Sequence, residues 1–148
     1  MVWLFVAIIR ALMPLSEFRY RRRVEFADTD MAGVAHFSWI AKYMEEAEHA
    51  LWRAAGLSIV RRNSPLGYPR VALSIEFKAP LYFEDEIEVH VRITAMSSRS
   101  ISYAHVITRG STVIATGTMT AACVSEASGV MKSVEIPADV RERLGVQG

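Results

Sequence analysis

The stretch from Val24 to Gly33, VEFADTDMAG, sets two carboxylates, Asp28 and Asp30, on either side of Thr29, where an alternating segment gives way to a helical one. A helix N-terminus has backbone N–H groups without intrahelical acceptors, and its dipole favours developing negative charge, so it can polarise a carbonyl oxygen. Gly33 lets a ligand approach the main chain closely. A carboxylate beside such donors has the parts of an acyl-transfer site: a base or nucleophile, and a stabiliser for the oxyanion. Asp-x-Asp ahead of a helix also serves as a cap, so the spacing alone leaves both readings open.

Several elements must position this stretch. From Phe18 to Asp28 the run FRYRRRVEFAD alternates bulky and charged residues and predicts a strand with one solvated face. From about His36 to Ala55 the stripe Trp39, Tyr43, Ala47, Ala50 and Ala54, widened by Ile40, Met44 and Leu51, predicts one long helix ending at Gly56. Glu45, Glu46, Glu48 and Arg53 are expected on its solvated side. The segment 56–70 reads as a loop. Four strand-like runs follow, Val71 to Lys78, Glu86 to Met96, Ser100 to Arg109 and Thr112 to Ser125, and their short separators imply antiparallel neighbours. The pattern is α+β, a five-stranded antiparallel sheet curved around one central helix. One helix cannot cover five strands and close both edges, so a second copy of the chain is expected against the sheet.

Composition excludes several classes. With 17 basic and 16 acidic residues the net charge is +1, too small a basic field for a nucleic-acid-binding domain. The single cysteine, Cys123, cannot form an intrachain disulfide, and a reducing, cytoplasmic compartment is expected. At 148 residues one core suffices without metal or disulfide staples. Residues 1–13, MVWLFVAIIRALM, are apolar apart from Arg10 but too short to cross a bilayer, so no membrane partner is expected. They read as an extension, with Met13 an alternative start, ahead of a single domain over residues 14–148. The end, IPADVRERLGVQG, reads as a short polar helix opened by Pro137 and closed by Gly145.

The run Asp28-Thr29-Asp30-Met31-Ala32-Gly33-Val34, preceded by Val24-Glu25-Phe26 and followed by a helix carrying Tyr43, resembles the hotdog-fold acyl-CoA thioesterases of the 4-hydroxybenzoyl-CoA thioesterase type. Ile75-Glu76-Phe77-Lys78-Ala79-Pro80-Leu81, with Asp85 opening the next strand, is similar to that family's second strand and turn. The likeness runs from about Tyr20 to Ser125. It implies a hotdog fold and hydrolysis of a thioester, carried by coenzyme A or acyl carrier protein, to a free acid. By position, Asp30 matches the catalytic aspartate, as nucleophile or as base for a water, and Gly33 the turn glycine. The N–H near Phe37 becomes the carbonyl-polarising donor, and Asp28 supports the loop. The resemblance further implies a homodimer or homotetramer with the acyl pocket at the subunit interface, and neither a metal nor a redox cofactor.

The chain departs from the family where relatives carry Asn-Tyr or His-Asn; here the run is His36-Phe37-Ser38-Trp39. His36 is either a pocket residue or a helix cap. Glu46 and His49 form half of a di-iron motif but lack a facing helix to complete it. Some hotdog enzymes place the carboxylate on the central helix, which keeps Glu45, Glu46 and Glu48 as reserve candidates. His90 and His105 are expected on the sheet surface or at an interface, and Cys123 as an inert packed thiol. Arg19, Arg21, Arg22 and Arg23 are either a solvated strand face or contacts for coenzyme A phosphates, a role for which Arg61, Arg62, Arg70 and Arg99 compete. The rival functions are a non-catalytic acyl-CoA-binding module and an acyl-thioester dehydratase.

Overall fold

The computed structural model describes residues 1–147, and the side chains of these other than residues 9–12. The Arg10 side chain and Gly148 therefore lie outside the described residues. In chain order the elements are α1 (Val2–Leu12), β1 (Glu17–Arg23), α2 (Phe37–Ala54), β2 (Leu66–Gly67), β3 (Arg70–Phe77), β4 (Glu86–Met96), β5 (Ser100–Arg109), β6 (Thr112–Ala122), β7 (Val124–Ser125), β8 (Lys132–Ser133) and α3 (Ala138–Arg143). Five strands form an antiparallel sheet in the order β1-β4-β5-β6-β3, and β2, β7 and β8 form a small second sheet.

The core lies between α2 and the large sheet. Tyr43, Met44, Ala47, Leu51 and Trp52 of α2 are buried with Val89 and Val91 of β4, Ile101, Tyr103 and Ile107 of β5, and Met119 of β6. Strand β4 buries Ile87, Val89, Val91 and Ile93 in strict alternation, as its sequence predicts. Gly117 lets the helix come close: a Cβ there would stand 2.9 Å from both Met44 Cε and the Ser74 carbonyl oxygen. Helix α2 packs on β1 and β4, the side of the sheet remote from β3.

Several boundaries differ from the sequence reading. Strand β1 stops at Arg23 and not at Asp28, because Phe26–Asp28 turn into a 3-10 helix whose capping box joins Glu25 and Asp28. The last long strand breaks at Cys123, whose N–H bonds to the Arg99 carbonyl while its own carbonyl accepts from Val134, passing the chain from the large sheet into the small one. Within the predicted loop, Leu66–Gly67 pairs with β7. Pro137 caps α3, whose last helical residue is Arg143 and whose C-cap is Leu144, one residue before the expected glycine.

The two edges of the large sheet are unlike. The outward side of β1 carries Glu17, Arg19, Arg21 and Arg23, the kind of charged edge that resists further pairing. Strand β3 leaves Val71 63%, Leu73 52% and Phe77 57% exposed. The N-terminal segment is helical, with Trp3 and Phe5 exposed. No helix among the described residues is long and apolar enough to cross a membrane.

Candidate active site

The segment from Asp28 to His36 is a closed loop joining the 3-10 turn to α2. At its neck the His36 N–H donates to the Asp28 carbonyl at 2.8 Å, and Thr29 bridges Ala35. At its tip the Asp30 N–H donates to the Val34 carbonyl at 2.9 Å and the Gly33 N–H to the Asp30 carbonyl at 3.0 Å. Gly33 adopts φ +79°, the left-handed conformation that favours glycine. The outer limb is pinned to the turn before β4 by the Ala35 N–H on the Leu81 carbonyl, 2.8 Å, and by a Val34–Tyr82 bridge.

The two carboxylates of the motif have opposite surroundings. Asp30 is exposed; its Oδ1 accepts the Ala32 N–H at 2.8 Å, and Oδ2 has no partner among the described residues. Asp28 is 1% exposed, and its Oδ2 accepts the Glu25 N–H at 3.0 Å, the Tyr43 hydroxyl at 2.8 Å and Arg22 Nη1. Burial pushes the Asp28 carboxyl up, but these three donors together hold it below the ordinary carboxylate range. Tyr43 is raised by burial and by its bond to Asp28, so it stays protonated and donates. Asp28 is thus fixed structure and Asp30 the free carboxylate.

Helix α2 opens beside this loop. His36 is its N-cap, with Nδ1 accepting the Ser38 N–H at 3.3 Å and lying 2.8 Å from the Ser38 hydroxyl, so of its two candidate roles the capping one is visible. The Trp39 N–H turns back to the His36 carbonyl at 2.8 Å. The Phe37 N–H has no acceptor among the described residues, and the Phe37 ring is 67% exposed against the His36 imidazole at 4.4 Å between ring centroids. Asp30 thus lies on the loop that leads into α2, and the Phe37 N–H at the first residue of that helix. Surface hollows also lie away from this loop, for example one lined by Arg21, Glu86, Glu88, Thr108 and Gly110.

Sequence reasoning missed the hub under the loop. The sequence assigns Arg22 to a solvated strand face or to coenzyme A phosphates, yet it reaches Asp28 and also donates through Nε to Glu46 Oε2 at 2.8 Å, which in turn accepts the Tyr20 hydroxyl at 3.1 Å. Its guanidinium lies 5.2 Å from the Trp39 ring and 4.6 Å from the Tyr43 ring. The alternation of β1 carried the signal, because Arg22 shares the inward face of Phe18 and Tyr20. A second correction concerns Glu48 and His105, expected at surfaces. Both are buried where α2 crosses the sheet, with Glu48 paired to Arg70 and 3.1 Å from His105 Nε2, though not aligned for a hydrogen bond. Cys123 is buried as expected, and burial raises its thiol.

Residues 24–144 match the model of the thioesterase-like superfamily. A relative from Aquifex aeolicus, whose name goes no further than esterase, is 30% identical over 129 residues, covering 86% of this chain and 97% of its own. The crystal structure of a 1,4-dihydroxy-2-naphthoyl-CoA thioesterase from Synechocystis superposes with a TM-score of 0.76 at 26% identity, over 84% of this chain and 93% of that one. A gentisyl-coenzyme A thioesterase superposes with a TM-score of 0.75 at 28% identity, over 84% and 99%. A sheet wrapped around α2, with the Asp-Thr-Asp loop at the helix entrance and a family match over most of its length, makes this chain a member of the thioesterase-like superfamily, a hotdog-fold thioester hydrolase.

Proposed function

We propose that the protein hydrolyses acyl-CoA thioesters to a free carboxylic acid and coenzyme A, with Asp30 as base or nucleophile and the Phe37 N–H as the donor that polarises the carbonyl. The observation that carries this reading is the contrast within the motif: Asp28 is consumed by three donors, whereas Asp30 keeps a free oxygen on the loop that ends in the open N-terminus of α2. As base, Asp30 takes a proton from the water that attacks the carbonyl carbon; the C–S bond then breaks and the thiolate leaves, protonated in turn. As nucleophile, it forms an anhydride that water opens. The negative charge gathered on the carbonyl oxygen meets the Phe37 N–H and the positive end of the helix dipole. The relatives named for naphthoyl-CoA and gentisyl-coenzyme A support coenzyme A as the carrier.

Within one chain Asp30 faces solvent, and β3 presents an apolar edge that α2 does not cover. A second copy of the chain set against β3 would bury Val71, Leu73 and Phe77 and supply the missing wall of an acyl pocket, as a homodimer or within a homotetramer.

The test is thiol release from a panel of coenzyme A and acyl carrier protein thioesters. Asp30→Asn keeps the loop's shape but loses basicity and nucleophilicity, and turnover should fall on the order of 10²- to 10⁴-fold. Near-normal turnover by this variant would overturn the assignment and move the chemistry to a helix glutamate such as Glu45. Binding of thioesters without thiol release by the natural chain would overturn hydrolysis itself.

A further inference from the structure

We propose that Asp28, held by Arg22 and Tyr43, is a positioning residue that sets Asp30 and the N-terminus of α2 relative to one another, so that one buried carboxylate keeps both halves of the reaction site in register. The inference rests on the proposed thioesterase reading. Asp28 is joined to both halves by different atoms. Its carbonyl oxygen accepts the N–H of His36, the residue that caps α2 and precedes Phe37, while its side chain is fixed from below by β1 through Arg22, by α2 through Tyr43, and by the Glu25 N–H. Asp30 follows two residues later on the limb that leaves this anchor. Arg22 extends the anchorage along α2, since its guanidinium lies against Trp39 and Tyr43 and bonds Glu46. A shift of Asp28 therefore disturbs both the carboxylate limb and the donor limb.

The geometry asks for more than a stable loop. The tip closes on its own through the Asp30–Val34, Gly33–Asp30 and Ala32–Asp30 hydrogen bonds, none of which involves Asp28. Without the Asp28 anchor the tip keeps its turn but loses its bearing on the helix. Misplacement by about 1 Å can cost on the order of 100-fold in rate, without weakening the contacts that hold the rest of the substrate.

The experiment is a double-mutant cycle with a structural readout beside it. Asp28→Asn should lower kcat by roughly 10- to 100-fold with KM changed less than about threefold. The same substitution should cost clearly less in an Asp30→Asn background, because much of its effect passes through Asp30. Tyr43→Phe, which removes one donor and keeps the ring, should lower kcat by about three- to tenfold and carries the test if Asp28→Asn does not fold. In both variants amide hydrogen exchange at His36 should rise about tenfold or more while the amides of β4 and β5 stay protected. Full kcat in the variants, an equal further loss in the Asp30→Asn background, or unchanged exchange at His36 would each overturn the proposal. If the natural chain hydrolyses no thioester, the functional reading falls, and exchange at His36 still decides whether Asp28 anchors the two limbs.

Discussion

Replacing Arg70 by methionine tests whether the buried polar cluster is held by its charges. Glu48 has no exposed surface, and Arg70, whose side chain is 20% exposed, is its cationic partner from the first residue of β3. His105 Nε2, 3.1 Å from Glu48 Oε1, adds no aligned hydrogen bond, and neither imidazole nitrogen has a hydrogen-bond partner among the described residues. Removing one member of a buried pair typically costs about 3–5 kcal/mol, because the other is left charged and desolvated. Water can reach the partly open Arg70 position, and Glu45 at 3.7 Å shares the guanidinium, so the lower end applies, about 3 kcal/mol. For a domain of this size that is roughly 6 to 12 °C in Tm. The double variant Glu48→Met/Arg70→Met removes both charges and should recover at least about half of the loss. Thermal unfolding of the natural chain, both single variants and the double, at one protein concentration, closes the cycle. A loss below about 1 kcal/mol for Arg70→Met, or a double variant no more stable than that single, would refute the reasoning.

Other outcomes follow from the same contacts. Asp28 lies below its unfolded value, so its contribution to stability is present above about pH 3.9 and is lost as pH falls through the folded value; in an acid titration Asp28→Asn should be the less stable near pH 6 and converge with the natural chain only as pH falls through that lower, folded value. His36→Ala removes the side-chain cap of α2 and should cost about 0.5–1 kcal/mol, read by chemical denaturation. Leu73→Lys places a charge on the apolar edge of β3 and should shift the chain towards monomer in light scattering, with thiol release falling in parallel. Removal of residues 1–12 should leave Tm within about 2 °C, since Val2 to Ile8 are exposed and the domain proposed for residues 14–148 carries the core.

The sheet was legible because its strands repeat one physical rule. Glu86–Met96 and Ser100–Arg109 were read to the residue, since each alternates buried and half-solvated positions between Ser, Gly or Asp breaks. The turn at the tip of the loop was legible because a glycine between a polar run and a helical stripe marks a flexible point, and Gly33 does adopt φ +79°. Helix α2 was likewise placed to within about a residue at each end, because its apolar stripe begins just after a residue able to cap it.

What escaped was every charge whose partner lies far away in sequence. Glu48 sits between Ala47 and His49 in a run that reads as a solvated flank, and its burial depends on Arg70 arriving from the far edge of the sheet. Arg22 reads as one of four basic residues, and its role depends on Asp28 and on Glu46 being folded over it. Patterning sorts residues by the cost of burying them alone, whereas a guanidinium that meets two carboxylates and two aromatic faces is not buried alone. Arg22 and Arg70 also divide the labour on α2: one ties the helix to β1 beneath the site loop, the other ties it to β3 at the apolar edge. If a second copy closes over β3, the Arg70 tie lies at that junction and the Arg22 tie at the loop. Arg70 variants should then change assembly and stability together while leaving the His36 amide protected, and Arg22 variants should loosen His36 without changing assembly. Light scattering and hydrogen exchange on the two variants separate these effects, and the opposite pattern would mean that the two ties are not independent.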